Sequence, residues 1–509
     1  MGFELNVFGD EQLLEEFMEW LVDERAVEVQ KHFGRLWSYY SNPMRDVGRG
    51  ASEKIKENGQ CYLQAQEYGL PSRITGVSYP SGGGVWNGRA VKDVQRKEVV
   101  IENDIGWRVN AGVDFLFGKP ISFVSRSPEA RKRAEIEKII KALFSANGGV
   151  GFFQDMAVLG GVYGFVDCII RPGAEVVKSA SGPHRNNSFE RVLQLARAID
   201  LELVDAPRAL PILEEGDYRK VRCYVQHFYQ QKNSVSRSGS FLSRLLSQRY
   251  NHQRSGSYVT EILTSGAWQR YEDKQLTGEG IVPWGFVPVV HIQNIAQPFF
   301  YEGLSEVEPL IPLQDELNTR LSDRASRITF QSFKMYLGKG IEGFADRPVS
   351  PGRMWYTDNP EACIEEFGGD DKTPSEDMHI GEIREAIDKV SGVTPLVAGL
   401  LKNKVGNLTS AVALRLTLMG ILSKTEKKRF TYGGGIKRLC RQVLEILDKA
   451  EVYQTDEADR ELEIIFPSPL PENMMEKLKE AQIKKELGVP AVQVLRELGY
   501  EQQLIEEQG

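Results

Sequence analysis

The residues able to do chemistry are too scattered to make a reaction centre. The cysteines stand at Cys61, Cys168, Cys223, Cys363 and Cys440. No two form the CxxC pair that thiolate metal and redox sites use, so they read as packing residues. The histidines His32, His184, His227, His252, His291 and His379 are equally dispersed, and each reads as a surface or satisfied core group. Asp370-Asp371 pairs two carboxylates, but in a glycine-rich stretch where turn geometry alone favours Asp. Gly118-Lys119 runs into Pro120 and Gly338-Lys339 into Gly340, so neither opens a phosphate-binding GxxxxGK[ST] loop. HExxH, GxSxG and the EF-hand pattern are missing as well. The expectation is no catalytic residue, no metal and no cofactor.

Charge is the remaining resource. Ser234–Ser257 carries Arg237, Arg244, Arg249 and Arg254 with no acid. It reads as a loop inserted between two strands; the functional alternative is a basic finger touching DNA, RNA or an acidic partner face. Lys402 and Lys404 flank Asn403 in a second loop, Val393–Thr409.

The chain has 509 residues, 41% hydrophobic and 26% charged, enough for more than one domain with a sizeable core. Its net charge of −8 argues against a protein that coats nucleic acid generally, though not against one that lets DNA slide past. No apolar run is long enough to span a membrane. The acidic start MGFELNVFGDEQLLEEF resembles no signal peptide.

The elements that must position these groups follow from apolar spacing. Helices are expected over residues 11–40, Lys54–Tyr68, Asn103–Phe117, Glu129–Ser145 and Phe152–Leu159, with strands at Ile121–Val124 and Phe165–Arg171. From Leu201 to Val290 alternating runs and turn residues predict β structure. Gly303–Gly392 then reads helix, irregular β-containing segment, helix. In the first helix, about Pro312–Tyr336, Leu313, Leu317, Leu321, Ala325 and Ile328 make one narrow stripe on a polar rod. That suits packing against like neighbours better than burial. Ser305 and Glu308 fit a capping box. Leu337–Pro374 is rich in Gly and Pro, with strand-like Met354–Thr357 and Cys363–Phe367. Ser375–Val390 is the second helix, with Ile380, Ile383, Ile387 and Val390 on one face. A long helix, Ser410–Asp448, contains Gly433-Gly434-Gly435, which predicts a kink or break because each Gly costs a helix about 1 kcal/mol against Ala. Leu462–Phe466 is a strand, and Pro471–Gln503 is helical around Gly488-Val489-Pro490.

In this order the segments resemble the portal proteins of tailed bacteriophages, siphovirus type. The matching stretches are Trp37–Tyr40 after an acidic helix, Asn103…Phe117-Gly118-Lys119-Pro120-Ile121-Ser122-Phe123, Gly160–Gly164 before a strand, Pro288–Asn294, Gly303–Leu310 leading into Asp315–Asn318, and Gly406–Leu414 opening the long helix. Ser410-Ala411 departs from the Ser-Gly pair that the family often has there, and the 234–257 insertion is unusual.

The resemblance implies an α+β portal fold: an α/β wing, a two-helix stem, a small β-containing clip, a long kinked wing helix and an α-helical crown. Mapped onto this chain, the wing is 1–303 and 410–470, the stem helices 304–336 and 375–392, the clip 337–374, the tunnel loop 393–409 and the crown 471–509. It implies a homo-oligomeric ring of twelve subunits at one capsid vertex, through which double-stranded DNA passes non-specifically during packaging and ejection. The implied partners are the large terminase subunit, a head-completion or adaptor protein, and the major capsid and scaffolding proteins. No membrane is involved, and the subunit is expected in the virion and, during assembly, the host cytoplasm. Candidate DNA-facing loop residues are Leu401, Lys402, Asn403, Lys404 and Val405. Candidate channel-lining stem residues are Asn318, Arg320, Arg324 and Arg327. Candidate docking residues of the clip are Arg347, Arg353, Trp355, Tyr356, Glu365 and Glu366. The rival readings are another multimeric virion connector or tail structural protein, and a nucleic-acid-processing enzyme resting on the arginine-bearing insertion.

Overall fold

In the computed structural model the described residues are 2–9, 13–46, 62–75, 77–78, 89–90, 98–179, 188–231, 256–332, 335–339, 359–367, 374–395, 397, 415–470, 474–489 and 494. A helical arm comes first: α1 (Glu15–Trp20), a π turn over Leu21–Arg25, and α2 (Ala26–Ser41) follow without a gap. Met18, Leu21, Val22, Ala26, Val29, Phe33, Leu36 and Tyr39 are its buried stripe. The arm stops at Asn42, which takes the left-handed conformation with φ 40°, a cap Asn tolerates better than most residues. Strand β1 (Met44–Asp46) pairs with β2 (Tyr62–Gln64), and a 3₁₀ turn follows over Ala65–Gly69. The helix expected at Lys54–Tyr68 is therefore replaced, in its described part, by strand and turn. Short α3 (Ser72–Thr75) and the pair β3 (Val77–Ser78) with β4 (Arg89–Ala90) complete this region.

Next come α4 (Asp104–Phe117), β5 (Ser122–Ser125), α5 (Ala130–Ala146) and α6 (Val150–Tyr163), close to where periodicity placed them. Asn103 caps α4 by accepting the Gly106 amide at 3.1 Å. α6 ends on Gly164 at φ 94°, where a Cβ would stand 2.3 Å from the Gly303 carbonyl oxygen, so both backbone and space demand glycine. β6 (Phe165–Pro172), α7 (Ala174–Ser179), α8 (Phe189–Arg197) and β7 (Ile199–Val204) follow.

A five-stranded antiparallel meander is then built from β8 (Ala209–Glu214), β9 (Asp217–Gln231), β10 (Gly256–Leu263), β11 (Ala267–Glu272) and β12 (Gln275–Ile281). Within the β region read from sequence, β8 and β12 stand out least as strands, because they carry Pro211 and the pair Gly278 and Gly280. Both lie at the sheet's edges, where such residues are tolerated. β13 (Val289–Gln293) returns to pair with β6, giving a second sheet in the order β13-β6-β7.

The remaining elements are α9 (Ile311–Ser332), β14 (Met335–Lys339), β15 (Cys363–Phe367), α10 (Pro374–Ser391), α11 (Met419–Lys449), β16 (Leu462–Ile465) and α12 (Met474–Glu486). The class is α+β, as expected: helices mixed with antiparallel sheets. One hydrophobic cluster joins α5, α6 and α11 with the C-terminal half of α4. A second joins the arm, β9 and β10 with the bases of α9 and α10.

The expected kink or break at Gly433–Gly435 is absent, since α11 runs unbroken through it. The glycines serve packing instead. A Cβ on Gly435 would lie 2.4 Å from Ile292 Cγ1 of β13, and one on Gly433 would touch the Phe466 ring at 3.4 Å. Close helix–sheet approach is gained at the expense of helix propensity.

Candidate functional site

α9 and α10 form a helical hairpin. Leu317 of the expected stripe is fully buried and Ile328 is exposed, but the main surprise is the polar side of α9. Gln314, Asn318 and Ser322, four residues apart, are fully buried against residues 100–104, the segment that leads into α4. Gln314 Oε1 accepts the Asp104 amide at 3.1 Å, Asn318 Oδ1 the Glu102 amide at 3.0 Å, and Ser322 Oγ the Val100 amide at 3.0 Å. Two residues of extended chain rise about 6.7 Å. Four residues of helix rise about 6 Å, so the two spacings stay in step. Side chains thus take the place of a neighbouring strand. Asn318, which also donates to Gln66 Oε1 at 3.0 Å, is an interior residue of the protomer and not a channel-lining one. The idea that α9 needs like neighbours to cover it fails for this half of the helix.

The arginines named with Asn318 are all paired. Arg320 Nε lies 2.6 Å from Glu316, Arg324 reaches Asp377 at 2.7 Å, and Arg327 pairs with Glu376. The last two pairs run from late α9 to early α10, and so fix the helices as antiparallel. Ile380, Ile383 and Ile387 of α10 are buried, whereas Val390, expected beside them, is 51% exposed. α9 stops at Ser332, short of Tyr336, and Met335 and Tyr336 enter β14. β14 and β15 pair antiparallel, with Glu365 opposite Leu337 and Glu366 opposite Tyr336. Arg347, Arg353, Trp355 and Tyr356, with the expected strand Met354–Thr357, lie outside the described residues.

The hairpin joins the body where α10 ends. Arg108 of α4 is buried there, pairing with Asp104 at 3.1 Å and Asp388 at 2.7 Å. It donates to Ser391 Oγ at 3.1 Å and to the Val393 carbonyl, ending α10 from below. Gly392 sits at φ 69°, and a Cβ on Gly420 would stand 2.9 Å from its carbonyl oxygen, so α11 enters against the exit of α10. Val393, Leu418 and Ile421 seal the contact.

Lys424 Nζ donates to the Ser391 carbonyl at 3.0 Å and pairs with Glu306 at 2.8 Å; Lys428, fully buried, pairs with the same carboxylate. Burial alone would push the Glu306 carboxyl up, but Lys428 and Lys424 outweigh it and hold it at about 2. Burial lowers Lys428 despite Glu306. Asn294 Nδ2 donates to Glu306 Oε1 at 3.2 Å, and Tyr432 donates to Asn294 Oδ1 at 3.1 Å.

Glu306 and Lys428 were invisible as a pair in sequence. The local signal there, the capping box, is present in its serine half: Ser305 Oγ accepts the amides of Val307 at 3.1 Å and Glu308 at 3.2 Å. Leu401, Lys402, Asn403, Lys404 and Val405 fall between the clamped ends, outside the described residues. So do Arg237, Arg244, Arg249 and Arg254, which fall between the paired strand ends Gln231 and Gly256.

Among the described residues no group of His, Cys, Asp and Glu could hold a metal ion, and no helix is long and apolar enough to cross a membrane. What stands out is a helical hairpin braced by ion pairs along its length and where it meets the body. The family model for the phage portal protein, SPP1 Gp6-like, matches residues 187–498. The chain belongs to this phage portal family. The matched region of the portal protein takes in the meander, the hairpin and, from its junction, Glu306, Asp388, Ser391, Lys424 and Lys428, and leaves out the arm and the elements from α4 to α7, Arg108 among them. A solved structure described as the virion of a native gene transfer agent (GTA) particle contains a similar chain, with a TM-score of 0.39 and 13% identity over 75% of the portal protein and 85% of that chain. No curated protein matches. The family is a structural one.

Proposed function

We propose that this portal protein forms a homo-oligomeric ring, of twelve subunits as its resemblance implies, at one vertex of the capsid. Double-stranded DNA is driven in through the ring by the terminase and leaves by it at ejection. The α9–α10 pair is the stem wall, the β14–β15 hairpin belongs to the clip that docks the motor and then the adaptor, and Lys402 and Lys404 contact passing phosphates from the loop between α10 and α11.

The observation that carries this reading is the family match, which spans the whole hairpin. The physics of the hairpin supports it. Tight phosphate binding through released counterions would brake a moving duplex. Arg320, Arg324 and Arg327 each face a carboxylate of their own chain, which leaves a wall of low net attraction. Negative-stain imaging of the purified full chain tests the proposal: rings with a central hole are expected, and monomers or dimers at every concentration overturn it.

A further inference from the structure

α11 presents a long outward face that nothing among the described residues covers. Met419, Lys427, Phe430, Gly434 and Lys437 follow one another at helical spacing, all exposed. Phe430 is 81% exposed and Met419 57%. Gly434 lies in the middle of this helix, and a Cβ placed on it meets nothing within 4 Å. An exposed mid-helix glycine costs about 1 kcal/mol against alanine, and nothing among the described residues offsets it. Its neighbours Gly433 and Gly435 have packing partners inside the chain; Gly434 has none among the described residues. Beside an exposed phenylalanine, it makes a notch next to a knob. Lys427 and Lys437 bound this feature, and neither makes an ion pair among the described residues.

The arm carries the opposite pattern. Glu16, Trp20, Glu24 and Val27 share the outer face of α1, the π turn and α2. Trp20 is 47% exposed and Val27 60%. Glu16 and Glu24 likewise make no ion pair among the described residues. Eight helical residues separate the two acids, about 12 Å, and ten separate the two lysines, about 15 Å. One face thus reads acid–aromatic–acid and the other base–aromatic with a notch–base, at matching lengths.

We propose that α11 of one subunit receives the arm of a second copy of this chain, with Trp20 set against Phe430 and into the notch at Gly434, and Glu16 and Glu24 opposite Lys427 and Lys437. The two faces are different surfaces of the protomer, since the arm packs in one hydrophobic cluster and α11 in the other. A contact between unlike faces is head-to-tail and propagates from subunit to subunit until a ring closes. This inference rests on the ring reading above and says which surfaces make the ring.

The test is charge reversal in the full chain, read by negative-stain imaging and sedimentation velocity, with thermal unfolding as a control for folding. The variant Glu16→Lys with Glu24→Lys and the variant Lys427→Glu with Lys437→Glu are each expected to sediment as monomers, and the chain carrying all four changes to form rings again. Gly434→Trp, which fills the notch without altering charge, is expected to weaken assembly on its own. Wild-type rings together with normal rings from both double variants and from Gly434→Trp would overturn this contact and leave the ring reading intact. Failure of the fourfold variant to recover while both doubles fail would also overturn it. A wild-type chain that never forms rings would overturn both.

Discussion

Lys424 Nζ lies 2.8 Å from Glu306 Oε2, and that carboxylate, 4% exposed, is shared with the buried Lys428. One acid therefore balances two cations at the point where α10 leaves the body and α11 enters it. Replacing Glu306 by Gln keeps the shape but leaves Lys428 buried without a counter-ion. A loss of about 3–5 kcal/mol is expected, the usual cost of orphaning a buried charge. Denaturant unfolding of the full chain measures it, with Glu306→Asp as the control that should lose less.

The same carboxylate makes stability depend on pH. Its ordinary value is 4.5, and in the fold it is held at about 2. Between these values the unfolded chain binds the proton and the folded chain does not, so this contribution is fully present above about pH 4.5 and is lost as pH falls toward 2. Its size is on the order of a few kcal/mol, since each tenfold change in proton affinity is worth about 1.4 kcal/mol. The difference in unfolding free energy between wild type and Glu306→Gln should therefore shrink steadily over that window. A difference constant with pH would mean that the lysines do not hold the acid ionised.

Asn318 offers a test of the buried polar ladder. Asn318→Leu fits a helix and adds apolar surface, yet it strips the Glu102 amide and Gln66 Oε1 of their partner at 3.0 Å each. Each buried group left unsatisfied costs about 1–3 kcal/mol, so a net loss of stability is expected in place of a gain. Thermal unfolding decides, and a more stable variant would mean that water reaches the ladder.

These residues also mark where legibility ended. The helices of the body and the inner strands of the meander were readable because burial imprints a local period on sequence. Asn318 looked like a surface residue because its partners, Glu102 and Gln66, are far away in the chain; a polar face buried by long-range hydrogen bonds has the same periodicity as a wet one. The Gly433–Gly435 run was misread for a related reason. Propensity is a property of the helix alone, whereas the benefit of Gly435 lies in contact with Ile292 of another element. Glu306 and Lys428 left no mark beyond a capping serine, because charge pairing across the fold has no fixed spacing.

The two glycines next to each other in α11 should respond in opposite ways to alanine. At Gly435 the new methyl would stand 2.4 Å from Ile292 Cγ1 and 2.6 Å from Cδ1, so the helix must move off β13 or Ile292 must shift. The expected outcome is a loss of about 1–3 kcal/mol from overpacking, more than the propensity gain can offset. At Gly434 the methyl meets nothing, and a gain of up to about 1 kcal/mol is expected in the unassembled chain. Unfolding of the two single variants side by side is the measurement, and equal effects would show that propensity alone governs this run.

Lys402 and Lys404 test whether the segment between the clamped ends meets DNA. The anchors on either side, Ser391 and Val393 before it and Leu418, Ile421 and Lys424 after it, are held by contacts among described residues that keep their own side chains in this variant. Lys402→Glu with Lys404→Glu should therefore assemble as wild type does. Removing cations that contact phosphate transiently, and adding two carboxylates per subunit, should slow packaging or let packaged DNA slip, with a weaker dependence on salt because fewer counterions are released per contact. An in vitro packaging assay on assembled heads, run at two salt concentrations, reads both effects. Packaging indistinguishable from wild type at both would remove these lysines from the path of the DNA, while a variant that assembled no rings would place them in the joint between subunits instead.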